Sequence, residues 1–154
     1  MLIRLTSQYR PDSAPAVVLD TNVVLDWLLF RNAAGLAVGE QVSTGRWRWL
    51  ATAAMREELT HVLSRGGLDR WAPDLRAVHR NWGSHCTEVN APSLAVRFRC
   101  TDPDDQKFID LAVATRTPHL LTRDRAVLKL ARRLRHVGVD VLTPNAWAAI
   151  RPAG

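Results

Sequence analysis

Twice in this chain a short apolar run stops on an aspartate, and each time the residues beyond it return at helical spacing. The first is "AVVLD", residues 16–20, after which Val24, Leu25, Leu28 and Leu29 follow from Asn22 onward. The second is "HLLT", residues 119–122, which runs into Asp124 and a helical stretch through about Arg135. Neither run alternates polar with apolar residues, so both read as strands covered on two faces. That pattern predicts strand, aspartate, helix, and it predicts it twice.

The remaining elements fit one α/β design. "AAGLAVGEQVSTG" reads as a helix ended by Gly45, and "RWRWLA" alternates as a short strand does. Thr52 then caps a helix over 53–64 whose apolar stripe is Met55, Leu59, Val62 and Leu63. "RGGLDRWAP" breaks the chain before a more polar helix from about Pro73 to Trp82, followed by an irregular stretch to Arg99. Asp104 and Asp105 open a helix with an apolar face of Phe108, Ile109, Ala112 and Val113. "VDVL" is a further strand, and a short helix follows Pro144. Strands alternating with helices predict a central, mainly parallel sheet with helices on both faces, a three-layer α/β/α domain. Its bounds are set at 16–150, with an N-terminal arm at 1–15 and a tail at 151–154.

Length supports one domain: 154 residues, 47% of them hydrophobic, suffice for a single sizeable core. No apolar stretch reaches the length of a membrane span, and the first fifteen residues lack a signal-peptide pattern, so the expectation is a soluble, cytoplasmic protein without a membrane partner. Cys86 and Cys100 form no CxxC or paired-histidine motif and read as ordinary thiols. A net charge of +6 suits a polyanionic partner, although nearly all of it is arginine, a bias that codon usage also produces.

In an open parallel sheet, ligands bind beyond the carboxyl ends of the strands, where the strand order switches direction. Asp20 and Asp124 hold such positions, Asp105 begins the helix leading to the second of those strands, and Glu58 borders the stripe of its helix. Each also admits a plainer role. Asp20 or Asp124 alone could cap a helix, Asp102, Asp104 and Asp105 could form a solvated turn, and Glu57 and Glu58 could be surface charges. Together on one rim they repel, by roughly 4 kcal/mol for a pair about 4 Å apart at an effective dielectric near 20. A divalent cation reverses that balance, and oxygen ligands favour Mg²⁺ or Mn²⁺ over Zn²⁺.

At these residues the sequence resembles the PIN domain family of metal-dependent nucleases, and most of all its branch of toxin components from bacterial toxin–antitoxin pairs. "VVLDTNVVLDWLL" is similar to the opening motif, "REELTHVL" to the helix with a central glutamate, and "DPDDQKFIDLAVA" with "LLTRD" to the third and fourth acidic motifs. "VLTPNAWAAI" is similar to the branch's ending, so the likeness spans about 16–150. "TRTPHLL" departs from the glycine-containing turn usual there, which alters a loop and no ligand. The resemblance implies that Asp20, Glu58, Asp105 and Asp124 hold the metal, with Asn22 orienting the first aspartate, Thr122 as a small hydroxyl near the fourth, and Asp104 as a fifth candidate. It further implies an RNA substrate, a cognate antitoxin and a homodimer.

The expected chemistry is Mg²⁺- or Mn²⁺-dependent hydrolysis of a phosphodiester by an activated water. Arg123 and Arg125 flank Asp124 and could meet phosphate or simply face solvent. A haloacid-dehalogenase-like phosphatase would need a second aspartate where this chain has Asn22. A structure-specific DNA nuclease on the same fold would use the same carboxylates, whereas a non-catalytic nucleic-acid or partner-binding domain would need none of them. The histidines at 61, 79, 85, 119 and 136 have no ligand spacing. The tryptophans at 27, 47, 49, 71, 82 and 147 read as core or as bases' stacking partners.

Overall fold

The computed structural model describes residues 14–93 and 98–150. The expected tail and nearly all of the expected arm lie outside them. Among the described residues no helix is long and apolar enough to cross a membrane.

Among the described residues five strands form one sheet: β1 (Ala16–Leu19), β2 (Arg48–Ala51), β3 (Cys86–Glu88), β4 (His119–Leu121) and β5 (Asp140–Leu142). Their order is β3-β2-β1-β4-β5, and every neighbouring pair is parallel. The chain travels outward from β1 to β3 and then returns past β1 to β4, so the direction of winding reverses there. Right-handed crossovers consequently lay helices on both faces, and the reversal leaves a crevice beyond the ends of β1 and β4. Val18 pairs with Leu120 and Leu19 with Leu121. This register sets Asp20 opposite Thr122.

Among the described residues seven α-helices link the strands, α1 (Thr21–Leu25), α2 (Ala33–Ser43), α3 (Ala53–Ser64), α4 (Leu75–His85), α5 (Gln106–Ala114), α6 (Arg125–Leu128) and α7 (Ala131–Arg135), and α8 (Pro144–Ile150) follows β5. The pattern that reads as one helix after Asp20 is in fact α1 followed by a π-helical turn, Asp26–Phe30. Arg31 then takes a left-handed conformation with φ of 55°, and Asn32 caps α2. Likewise the helix expected through Arg135 is two, α6 and α7. The strand β3 lies in the stretch read as irregular; it is three residues long, half-exposed and at the sheet edge, so no apolar run announces it.

The core joins the sheet to both helical layers, with Val17, Val18, Trp49, Leu120 and Leu121 buried at its centre. Tryptophans supply much of it. Trp49 meets Trp27 and Trp82 edge-to-face at centroid distances of 5.4 and 4.7 Å. Trp47 stacks on His119 at 4.8 Å, and the Trp147 indole N–H donates to His119 Nδ1 at 2.7 Å. Only Trp71, 39% exposed, stays out of this core. α2 lies close against the π-helical turn because Gly35 and Gly39 share one helical face: a Cβ at Gly35 would strike the Asp26 carbonyl, and one at Gly39 the Trp27 indole.

Candidate metal centre

Asp20 stands at the end of β1 and is 2% exposed. Its extended backbone lets the carboxylate turn back over α1, where Oδ1 accepts the main-chain N–H of Asn22 at 2.7 Å. Oδ2 accepts the hydroxyl of Thr122 at 2.5 Å. The same hydroxyl oxygen accepts the main-chain N–H of Asp124 at 3.0 Å, so Thr122 ties the ends of β1 and β4 to each other. Burial pushes the Asp20 carboxyl above its ordinary range, against the lowering effect of its hydrogen bonds to Thr122, Asn22 and Val23.

Across the crevice, Asp102 caps a 3₁₀ turn, Pro103–Asp105, that leads into α5. Gln106 fixes this entry: its carbonyl oxygen accepts the Cys100 N–H at 2.7 Å, and its amide donates to Phe98 O at 2.7 Å and Asp110 Oδ1 at 2.9 Å. Asp102, Asp105 and Asp124 thereby each present a carboxylate oxygen within 4.8 Å of the other two. Burial, then the neighbouring Asp124, then Asp20 and Asp102, raise the Asp105 carboxyl from 3.8 to about 7. Two carboxylates this close share a proton or need a cation.

The expected residues divide by place. Asp105 and Asp124 meet directly, and Asp20 is tied to the Asp124 main chain through the Thr122 hydroxyl. Asn22 reaches Asp20 through its main-chain N–H, with its side chain exposed. Asp104 is exposed and turned to a main-chain role, its carbonyl accepting Lys107 Nζ at 2.5 Å. Glu58, on α3, is half-buried while Glu57 is exposed. It faces Lys107 Nζ at 2.5 Å from Oε1, outside the group of three aspartates. Arg125 is exposed on the first turn of α6. Arg123 grips the buried Asp26 instead of lying free, with Nε to Oδ2 at 2.8 Å and Nη2 to Oδ1 at 3.1 Å. Asp102 is the residue that sequence reasoning set aside as a solvated turn. Its one signal is the spacing in "DPDD", where an N-cap three residues ahead of Asp105 faces the same side.

One oxygen tests whether a cation suits this place. Asp105 Oδ2 is buried and accepts no hydrogen bond among the described residues, whereas Glu58 Oε1 is already paired with the Lys107 ammonium. Buried carboxylate oxygens without donors are costly. An all-oxygen set with orphaned lone pairs fits a hard divalent cation such as Mg²⁺ or Mn²⁺. Cys86 and Cys100 are free thiols pushed up by burial, which leaves soft-metal chemistry without a thiolate.

A family model described as a PIN domain matches residues 16–126, from the first residue of β1 to the start of α6. The match contains all four expected carboxylates and Asp102. No curated protein matches the chain.

Proposed function

The chain belongs to the PIN domain family, whose members are generally metal-dependent nucleases, and from that premise we propose that it is an Mg²⁺- or Mn²⁺-dependent endoribonuclease. The observation that carries this reading is the donorless Oδ2 of Asp105 within the Asp102–Asp105–Asp124 group. A nuclease with a free-standing carboxylate beside two others has somewhere to hold a cation and a water.

In this reading Asp102, Asp105 and Asp124 hold the metal, Asp20 supports the set from its buried position, and Glu58 joins it when Lys107 swings away. A bound divalent cation lowers the pKa of water and neutralises charge on the leaving oxygen. Thr122 keeps the Asp20 carboxylate and the Asp124 main chain in fixed relation, so the acidic group is arranged before substrate arrives. Asp105, half-buried beside Asp124, aligns the attacking water. Arg125, exposed on the first turn of α6, draws the phosphate backbone toward the rim.

The toxin role, with a cognate antitoxin, a homodimer and a cytoplasmic site of action, belongs to the same proposal and rests on the motif resemblance. Growth arrest on expression, relieved by a small protein encoded just upstream, is its expected outcome.

The enzymatic reading is tested with purified protein and its Asp20→Asn variant, incubated with labelled single-stranded RNA or DNA in Mg²⁺, Mn²⁺ or EDTA. RNA products that require metal and vanish in the folded variant are expected. Products from DNA alone would change the substrate, full cleavage by Asp20→Asn would remove Asp20 from the mechanism, and full cleavage by a folded Asp105→Asn variant would remove the aspartate group.

A further inference from the structure

Beside the acidic group lies an open groove of about 860 Å³, lined by Asp26, Phe30, Asn32, Trp71, Arg123 and Asn145, among others. It opens just past the ends of β4 and β5, on the rim that also carries Asp20 and Asp124. One tripeptide connects the two places. Thr122 bonds Asp20, Asp124 joins the aspartate group, and between them Arg123 turns into the groove. The groove and the aspartate group are thus reached by side chains of adjacent residues, Arg123 and Asp124.

The groove is built for a flat, aromatic, polyanion-linked group. Trp71 is the chain's exposed tryptophan, whereas the other five are core residues. Phe30 holds it edge-to-face at a centroid distance of 4.8 Å, so the indole is fixed in orientation without being covered. The Arg70 guanidinium lies over its ring at 4.9 Å. A guanidinium is planar and cationic, and it marks a face of the indole that a nucleobase fits equally well. Arg123 satisfies the buried Asp26, which would otherwise make the groove floor acidic, yet keeps its side chain 48% exposed. Only its Nε and Nη2 are engaged.

Resting on the nuclease reading above, we propose that this groove is a nucleobase subsite, in which a base adjoining the cleaved phosphodiester of a single-stranded nucleic acid stacks on Trp71. Arg70 gives up the indole face to the base and meets the backbone, while Arg123 bounds the pocket toward the metal centre. The subsite selects unpaired strands, because a base held in a duplex cannot leave its stack to reach the indole.

The test measures binding of a short unstructured RNA to the full chain in an Asp105→Asn background, where cleavage is disabled on the nuclease reading. Trp71→Ala is expected to weaken binding about tenfold, and Trp71→Phe to restore most of it. The salt dependence should stay unchanged, since no phosphate contact is lost. Scanning a single abasic sugar along the RNA should reveal one position at which the two proteins bind alike. Equal binding by the Trp71→Ala protein, with its urea midpoint intact, would overturn the subsite, as would an equal loss at every abasic position. Cleavage by the chain without the Asp105 change separates the two readings. Metal-dependent cleavage with kcat/KM indifferent to Trp71→Ala sinks the subsite alone. Trp71-dependent binding by a protein that cleaves nothing in any metal keeps the subsite and sinks the nuclease.

Discussion

Asp105 puts its site into thermodynamic terms. Its carboxyl is raised from 3.8 to about 7 by burial and by Asp124, so between those values the folded protein holds a proton that the unfolded chain has released. Without metal, stability contributed by that proton is full below about pH 4 and is lost as pH rises through 7. A cation competes for the same oxygens and is displaced as pH falls. Thermal melts are therefore expected to drop from pH 4 to pH 7 in EDTA, with Mn²⁺ raising the midpoint at pH 8 and hardly at pH 5. Asp105→Asn should reduce the first trend to the part that the buried Asp20 contributes and abolish the second. Thr122 allows a sharper test. Thr122→Val removes the donor to Asp20 and the acceptor for Asp124 in a fully buried place, and is expected to cost about 1–3 kcal/mol in urea titrations. That Asp20, Asp105 and Asp124 share one rim was legible in the sequence because each sits where an apolar run breaks or a helix starts. The place of Asp102 beside Asp105 and Asp124 was not, since its spacing reads equally as a helix cap. Nor was the Asp26–Arg123 pair legible, because "LDWLLF" looks like uninterrupted helix until a partner 97 residues away appears.

At the scale of elements, the parallel strands of the centre were readable because two-sided burial demands unbroken apolar runs. β3 and the π-helical turn were not, because one is polar and short and the other keeps an ordinary helical pattern. The glycines against that turn are testable as a pair with a control. Gly39→Ala would drive a methyl into Trp27 and is expected to destabilise by about 1–3 kcal/mol. Gly83→Ala on α4 meets nothing within 4 Å and should stabilise by up to about 1 kcal/mol through helix propensity. Chemical denaturation of both variants decides. His119 supplies an opposite pH trend at the start of β4. Burial lowers its pKa, with Asp140 opposing, so its contribution is present above 6.5 and lost as pH falls through its folded value. His119→Gln, which retains an acceptor for Trp147, should remove that acid sensitivity from the melting curve.

For the whole molecule, the order β3-β2-β1-β4-β5 places an acidic rim at the reversal of winding in a chain of net charge +6. Binding of nucleic acid is expected to weaken linearly in the logarithm of salt concentration, and Arg125→Ala should lower that slope by about one; fluorescence titrations over a range of KCl provide the check. The bond from Thr122 to Asp20 has a further bearing, on the time at which the protein becomes competent. It joins residues 102 apart in the sequence, and it forms only when β4 closes against β1. Contacts of such separation are paid for in loop entropy and tend to come late. During synthesis, then, the amino-terminal half emerges carrying Asp20 and Glu58 before Thr122 and Lys107, the side chains that meet them, have been made. The acidic group is thus incomplete until the segment that carries Asp102, Asp105, Thr122 and Asp124 has been made.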